Sequence, residues 1–204
     1  MKLLSLGVDA SMSPYLQRKT RMTNQVAIMC AFIGFFYAFF IYAHYPPLVI
    51  YPGGLFLVSC GVLLLNYLRF VKLARFICAF EMLTHATLFH ASIIQQGEPF
   101  LIPFFCSMLA MTLIPWLLYD FREKEMLVLT LVICFGLLFA QEWFNALLEV
   151  PVDVTYFRES YLTPMTYAFA VAIQVVCMIA LKLENQAAST YAVSTKEIAG
   201  EVLN

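Results

Sequence analysis

Charged residues are scarce in this sequence. Among its 204 residues, 12 are Lys or Arg and 13 are Asp or Glu, a charged share of 12%, whereas soluble domains average about 25%. Hydrophobic types make up 62% and the mean hydropathy is +0.82. This balance excludes an ordinary soluble enzyme and a disordered chain. With a formal net charge of −1, the chain offers no basic face, so no nucleic-acid partner is expected.

Motifs that carry catalytic or metal chemistry are missing as well. The six cysteines form no CxxC pair and lie inside apolar runs, which indicates small buried side chains. Three histidines are too few for a membrane di-iron centre or a two-haem cytochrome. A single haem between His44 and His85 or His90 is disfavoured, because His44 lies at the end of a span. The sequence therefore predicts no metal, no cofactor and no enzymatic activity.

Long apolar runs are what the sequence does contain. A helix needs about 20 apolar residues to cross a bilayer, and each of six runs in this sequence comes close to that length. They cover residues 25–42, 48–68, 73–94, 100–118, 126–146 and 161–182. The predicted fold is all-α, a polytopic bundle of six transmembrane helices. Its parts are an N-terminal segment (1–24), the transmembrane domain (25–183) and a helical tail (184–204).

The distribution of basic residues predicts the orientation. With six spans, every Lys and Arg except Arg158 falls on the side that the N-terminal segment, the second and fourth loops and the tail share. Basic loops stay in the cytoplasm, so both termini are expected to be cytoplasmic. The first 24 residues lack a cleavable apolar core, and the first span is expected to act as its own targeting signal.

One set of polar residues lies at membrane depth on the third predicted span. Glu81, Thr84 and His85 share a helix face, which is expected to point into the bundle because lipid offers no hydrogen-bond partner. One interpretation is a structural clamp in which Glu81 binds Arg75, Asn66 or a backbone group. The other is a ligand-binding or proton-sensing role. A more specific hypothesis is that Glu81 and His85 form a coupled pair.

A second set of polar residues is predicted at the outer ends of the spans. Glu142 has polar neighbours there and lies at a depth similar to that of polar residues on other spans. These residues either decorate the interface or line a shallow outward-facing cavity for a small ligand. The residues expected to line it are His44, His90, Gln95, Gln96, Gln141 and Glu142.

Two patterns predict self-association. No proline separates the sixth span from the tail, so the helix is expected to continue into the cytoplasm, and the tail has heptad-like spacing. Small residues four apart allow two helices to approach closely. Both patterns indicate a homodimer. The tail positions are Ala187, Tyr191, Ser194 and Ile198, and the small residues are Cys30 with Gly34 and Ala168 with Ala172.

Three segments resemble a known family. They are Thr20–Ala27 before the first span, Asn66–Arg75 between the second and third, and Tyr119–Glu125 between the fourth and fifth. Together they resemble the six-helix N-terminal membrane module of bacterial sensor histidine kinases and class III nucleotide cyclases, especially of the Bacteroidetes type. The resemblance covers about Lys19 to Leu183.

The resemblance implies a dimeric, receptor-like module in the bacterial inner membrane. Such a module passes a signal through its sixth helix to a cytoplasmic output domain or partner protein, and no ligand-binding residue can be carried over. No kinase or cyclase domain follows the last span, so we expect either a fragment of a longer receptor or a short protein that acts through partners. The alternative hypothesis is a small transporter or channel subunit, or an assembly component of a larger membrane complex.

Overall fold

A computed structural model describes residues 3–94, 101–148 and 154–202, with side chains up to Lys182. Throughout these ranges the regular structure is helical and no strand occurs. The predicted all-α fold is therefore confirmed. Gln95 and Gln96 lie outside the described residues, as do the side chains of the predicted heptad positions in the tail.

The first half of the chain forms three long helical segments. Helix α1 spans Pro14–His44, and after a 3-10 turn α2 spans Ile50–Tyr67. The third segment is broken into α3, Val71–Cys78, and α4, Glu81–Ile93. Helix α1 begins well before the predicted start at residue 25. The Ser13 side chain accepts a hydrogen bond from the Leu16 N–H, and Pro14 occupies the first helical turn, where its missing N–H costs nothing.

The second half contains shorter helices followed by one very long helix. Its short helices are α5 (Ile102–Met111), α6 (Leu113–Leu118), α7 (Lys124–Phe139), α8 (Gln141–Leu147) and the single turn α9 (Thr155–Phe157). A π-helical turn at Arg158–Leu162 leads into α10, which runs without interruption over Thr163–Val202.

Four segments of the described chain are long and apolar enough to cross a membrane: Pro14–His44, Pro46–Tyr67, Val71–Ile93 and Thr155–Lys182. Ile102–Leu118 and Phe121–Phe139 meet at 90° and together qualify as a fifth, bent span. The protein is thus a multi-pass membrane protein. Six upright spans are not confirmed, because two perpendicular helices cannot both run along the membrane normal.

Two helix pairs dominate the packing. Helix α1 lies along α2, α10 lies along α5 and α6, and α4 packs between them against α2, α5, α7 and α8. Gly34 allows α1 to approach α2 closely, since a Cβ at this position would lie 2.7 Å from the Phe56 backbone nitrogen. Cys30 and Gly34 are both buried. This small-residue pair therefore serves packing within the chain, whereas a role between two copies was predicted.

The N-terminal segment folds back onto the ends of α1 and α2. The Asn24 side chain donates hydrogen bonds to the carbonyls of Leu4 and Leu6, at 3.1 and 3.0 Å. The Asn66 side chain of α2 donates to the side-chain oxygen Oδ1 of Asn24 at 2.7 Å. Gly7 adopts a φ of +71°, and a Cβ there would overlap the Asn66 carbonyl. These contacts hold the segment against the helix ends.

A polar cluster connects α1, α3 and the junction between α6 and α7. It lies on the same side of the molecule as the N-terminal segment. Arg75 donates two hydrogen bonds to the Glu123 carboxylate, at 2.8 and 2.6 Å. The Tyr15 hydroxyl donates to the same carboxylate at 2.7 Å, and the Arg75 guanidinium lies 4.7 Å from the centre of the Tyr119 ring. We call these four residues the basal cluster. It contacts both sides of the bend that follows α6.

Candidate functional site

A cavity of about 460 Å³ lies between α1, α2, α4, α5 and α10. Its volume lies in the range of about 300–1,000 Å³ typical of small-molecule sites. The wall is overwhelmingly apolar and rich in aromatic side chains. Its apolar residues include Leu55, Phe89, Phe104, Met108 and Phe169.

Few polar side chains line this cavity. They are His85, Ser107, Thr166 and the phenols Tyr37 and Tyr51. The Thr166 hydroxyl donates to the Leu162 carbonyl at 2.6 Å, so its proton is engaged by the π-helical turn that precedes α10. A small number of polar groups in an apolar wall is the usual composition of a site that orients a largely apolar ligand.

His85 is held in one orientation by its own helix. Its Nδ1 lies 2.8 Å from the Glu81 backbone carbonyl, one turn earlier in α4. Gly54 of α2 makes room for the ring, because a Cβ at this position would lie only 2.9 Å from Nε2. The imidazole edge that carries Nε2 is thus free of any side chain from residue 54.

The cavity opens sideways. Three of its lining side chains are largely exposed, Phe32 (63%) and Phe36 (54%) on α1 and Met165 (43%) on α10. In the described residues α1 and α10 do not pack along each other, so the opening lies between them. Helix α1 does meet the turns that precede α10, through rings 5.5–6.5 Å apart. This aromatic cap consists of Phe40, His44, Phe157 and Tyr161.

Glu81 is buried, and the prediction that it binds Arg75 or Asn66 is wrong. The Ser59 hydroxyl of α2 donates to its carboxylate at 3.3 Å, and the thiols of Cys30 and Cys78 lie beside it. Arg75 lies in α3, before the break between α3 and α4, and binds Glu123. Asn66 binds Asn24. The clamp thus joins α4 to α2 through a serine.

The hypothesis of a coupled Glu81–His85 pair does not match the geometry. His85 bonds the Glu81 backbone carbonyl, while the Glu81 carboxylate faces Ser59. Thr84 also turns back to its own helix and donates to the Phe80 carbonyl at 3.0 Å. Of the three residues predicted to share a site, only His85 lines the cavity.

The described members of the predicted outward-facing polar group differ in burial. His90 is buried against the Phe104 ring, with centroids 4.7 Å apart, and Gln141 is buried. Glu142 and His44 are exposed. None of the described members of this group lines the cavity of about 460 Å³, and the predicted outward-facing cavity stays a prediction.

Nothing in the described ranges groups three His, Cys, Asp or Glu side chains in a way that could hold a metal ion. Comparison with known proteins gives no match: no family model, no curated protein and no solved structure matches the chain. The geometry of the cavity and its relation to α10 are therefore the basis for a functional hypothesis.

Proposed function

We propose that this protein is a membrane-embedded, receptor-like sensory module. A small molecule binds in the cavity, and α10 transmits the event to a cytoplasmic output domain or partner protein. One observation carries the proposal. Met165, Thr166 and Phe169 of α10 line the cavity, and the same helix continues without a break past Lys182, where its apolar span ends, to Val202.

The physical coupling follows from the packing of α10. Helix α10 packs along α5, which contributes Phe104, Ser107 and Met108 to the adjoining wall of the cavity. A ligand shifts a conformational equilibrium only if it binds one arrangement better than the other. A molecule that contacts both walls meets this condition, because its contacts depend on the separation of α5 and α10.

The orientation in the membrane, the location and the dimeric state in this proposal are argued mainly from the sequence. Positive charge on one side supports cytoplasmic termini, and the loop segments that resemble bacterial sensor modules support a location in the inner membrane. A homodimer through α10 is supported by Ala168 and Ala172, which are exposed in this chain.

A second candidate function is a small transporter or channel subunit, or an assembly component of a larger complex. The 90° bend between Ile102–Leu118 and Phe121–Phe139 favours it, since broken or re-entrant segments line pathways in such proteins. Solute flux through proteoliposomes would support this candidate over the sensory module.

The sensory proposal can be tested without knowledge of the ligand. Ser107→Phe puts a ring into the cavity, whereas Leu109→Phe puts the same ring on the exposed face of α5. Spin labels at Lys124→Cys and Ser194→Cys, in a full chain without native cysteines in nanodiscs, report the position of the tail. We expect Ser107→Phe to shift the distance distribution by several Å and Leu109→Phe to leave it unchanged.

Ala86→Leu, which fills the cavity from α4, serves as a second variant if Ser107→Phe does not fold. Unchanged distances in both folded cavity variants would refute transmission through α10. A shift of equal size in Leu109→Phe would refute the role of the cavity.

A further inference from the structure

We infer that the cavity binds a bilayer-dissolved molecule with a hydrocarbon body and one hydroxyl group, which enters between α1 and α10 and donates its O–H to Nε2 of His85. This inference rests on the proposed function, because it names the ligand class of the same site. It is argued from the opening, the size of the cavity and the hydrogen-bond polarity of the imidazole.

The opening determines where the ligand comes from. Phe32, Phe36 and Met165 at the mouth are exposed within segments that qualify as membrane spans. Such residues face lipid in a membrane, so the mouth of the cavity opens to the hydrocarbon phase. The aromatic cap closes the gap between α1 and the start of the last span. A molecule already partitioned into the bilayer has direct access to this mouth.

The size of the cavity bounds the ligand. A group the size of a water molecule occupies about 30 Å³ of liquid volume. The cavity of about 460 Å³ therefore holds on the order of 15 such groups. This corresponds to a medium-length alkyl chain, a short isoprenoid or a small fused-ring body.

The hydrogen bond of His85 selects the head group. A carbonyl oxygen only accepts, so Nδ1 at 2.8 Å from the Glu81 carbonyl must carry the proton. In the neutral ring Nε2 then keeps its lone pair and acts as an acceptor. An alcohol or phenol can donate to it, whereas an ether, ketone or ester offers it no donor.

Gly54 lies beside this acceptor. A Cβ at residue 54 would lie 2.9 Å from Nε2 and 3.1 Å from the neighbouring ring carbon, in the space beside the acceptor edge. By contrast, a Cβ at Gly61 of the same helix would have no neighbour within 4 Å. Gly54→Ala and Gly61→Ala are thus a matched pair, and only the former covers the head-group position.

The test is competitive photolabelling of the full chain in phosphatidylcholine nanodiscs. The probe is a diazirine-bearing dodecanol, and the competitors are dodecanol, its methyl ether and dodecane. A neutral hydrogen bond contributes about 1 kcal/mol, so we expect dodecanol to compete about five-fold better than the ether. Competed labels should map to the cavity walls on α1, α5 and α10.

Three variants assign the head-group contact. His85→Asn keeps an amide N–H near the Nδ1 position and loses the Nε2 acceptor, so the preference for dodecanol over the ether should disappear. His85→Gln places an amide oxygen near the Nε2 position and should keep most of it. Gly54→Ala should lose the preference, while Gly61→Ala, His44→Asn and Ser107→Ala should retain it.

Equal competition by dodecanol, its ether and dodecane in the unmodified chain would overturn the inference. So would a preference that survives His85→Asn or disappears in Ser107→Ala. The experiments separate a failure of this inference from a failure of the proposed function, because photolabelling measures binding and does not depend on the tail. Selective binding with an unmoved α10 would refute transmission alone, and a moved α10 in Ser107→Phe without alcohol selectivity would refute the ligand class alone.

Discussion

The guanidinium of Arg75 binds both carboxylate oxygens of Glu123, at 2.8 and 2.6 Å. The Arg75 side chain is 4% exposed and that of Glu123 26%. Loss of the carboxylate leaves a buried cation unpaired and deprives the Tyr15 hydroxyl of its acceptor. We therefore expect Glu123→Ala to lower the free energy of unfolding by about 2 kcal/mol. Thermal melting in detergent measures the effect.

The matched control is Glu125→Ala, which removes an exposed carboxylate from the first turn of α7. It should leave the melting temperature unchanged. Equal melting temperatures for the two variants would show that the basal cluster does not stabilise the bend.

Gly34 is expected to be intolerant of any side chain. A Cβ would lie 2.7 Å from the Phe56 nitrogen and 2.9 Å from the Pro52 carbonyl oxygen, both backbone atoms that cannot turn aside. Gly34→Ala should therefore separate α1 from α2 and destabilise the protein by about 1–3 kcal/mol. Gly61→Ala meets nothing within 4 Å and should be neutral. A thermal melt that does not distinguish these variants would contradict the close approach of α1 to α2.

Docking of the N-terminal segment should depend on pH. The backbone N–H of Ser11 and the Arg69 guanidinium, 2.8 Å away, hold the pKa of Asp9 below its ordinary value. A lowered pKa in the folded state stabilises docking above the ordinary pKa of an aspartate. This contribution is lost as the pH falls through the lowered value. The hydrogen-exchange protection factors of residues 3–13, which are corrected for the intrinsic pH dependence of exchange, should thus be constant from neutral pH into mild acid and fall below it.

Asp9→Asn should expose the same amides at neutral pH and remove the pH dependence. Arg69 is 69% exposed at its side chain, so added salt should weaken its share of the effect. A pH profile in Asp9→Asn identical to that of the unmodified chain would exclude Asp9 as the responsible group.

Cysteine labelling will count the membrane crossings. Arg158, the one basic residue on the predicted outer side, is buried, so the exposed Glu159 is the better reporter. In a cysteine-free chain we expect Glu159→Cys to react in intact cells, and Ala10→Cys and Ser194→Cys only after permeabilisation. Termini on opposite sides would indicate five spans, with Ile102–Leu118 and Phe121–Phe139 forming one bent span.

Hydropathy predicted the helices but not their long-range contacts. Apolar runs identify the segments because backbone groups in lipid must bond within their own helix. The same pattern does not indicate that the Lys19 ammonium donates to the Leu117 carbonyl at 3.1 Å, or that Asn66 reaches Asn24. Such pairs join residues far apart in sequence, and their spacing leaves no local signal. The early start of α1 was also missed, because its first turns are polar yet partly buried.

The candidate site was predicted only at His85. An ionisable side chain at membrane depth is rare enough to be noticed in the sequence. The aromatic and methionine side chains around it are indistinguishable, by sequence, from those that face lipid or fill a core. Gly54, which accommodates the imidazole, was not predicted as part of the site. Glu81 gave an equally strong signal and proved to be a contact between helices.

Helix α10 also has a mechanical consequence. Its 40 residues correspond to a rod of about 60 Å, roughly twice the hydrocarbon thickness of a bilayer. The cavity touches this rod near its first turns, at Met165 and Thr166. A tilt of about 5° about that end displaces the far end by about 5 Å over this length. If the proposed transmission holds, a rigid helix of this length would convert a sub-ångström adjustment at the cavity into a displacement as large as one helical turn.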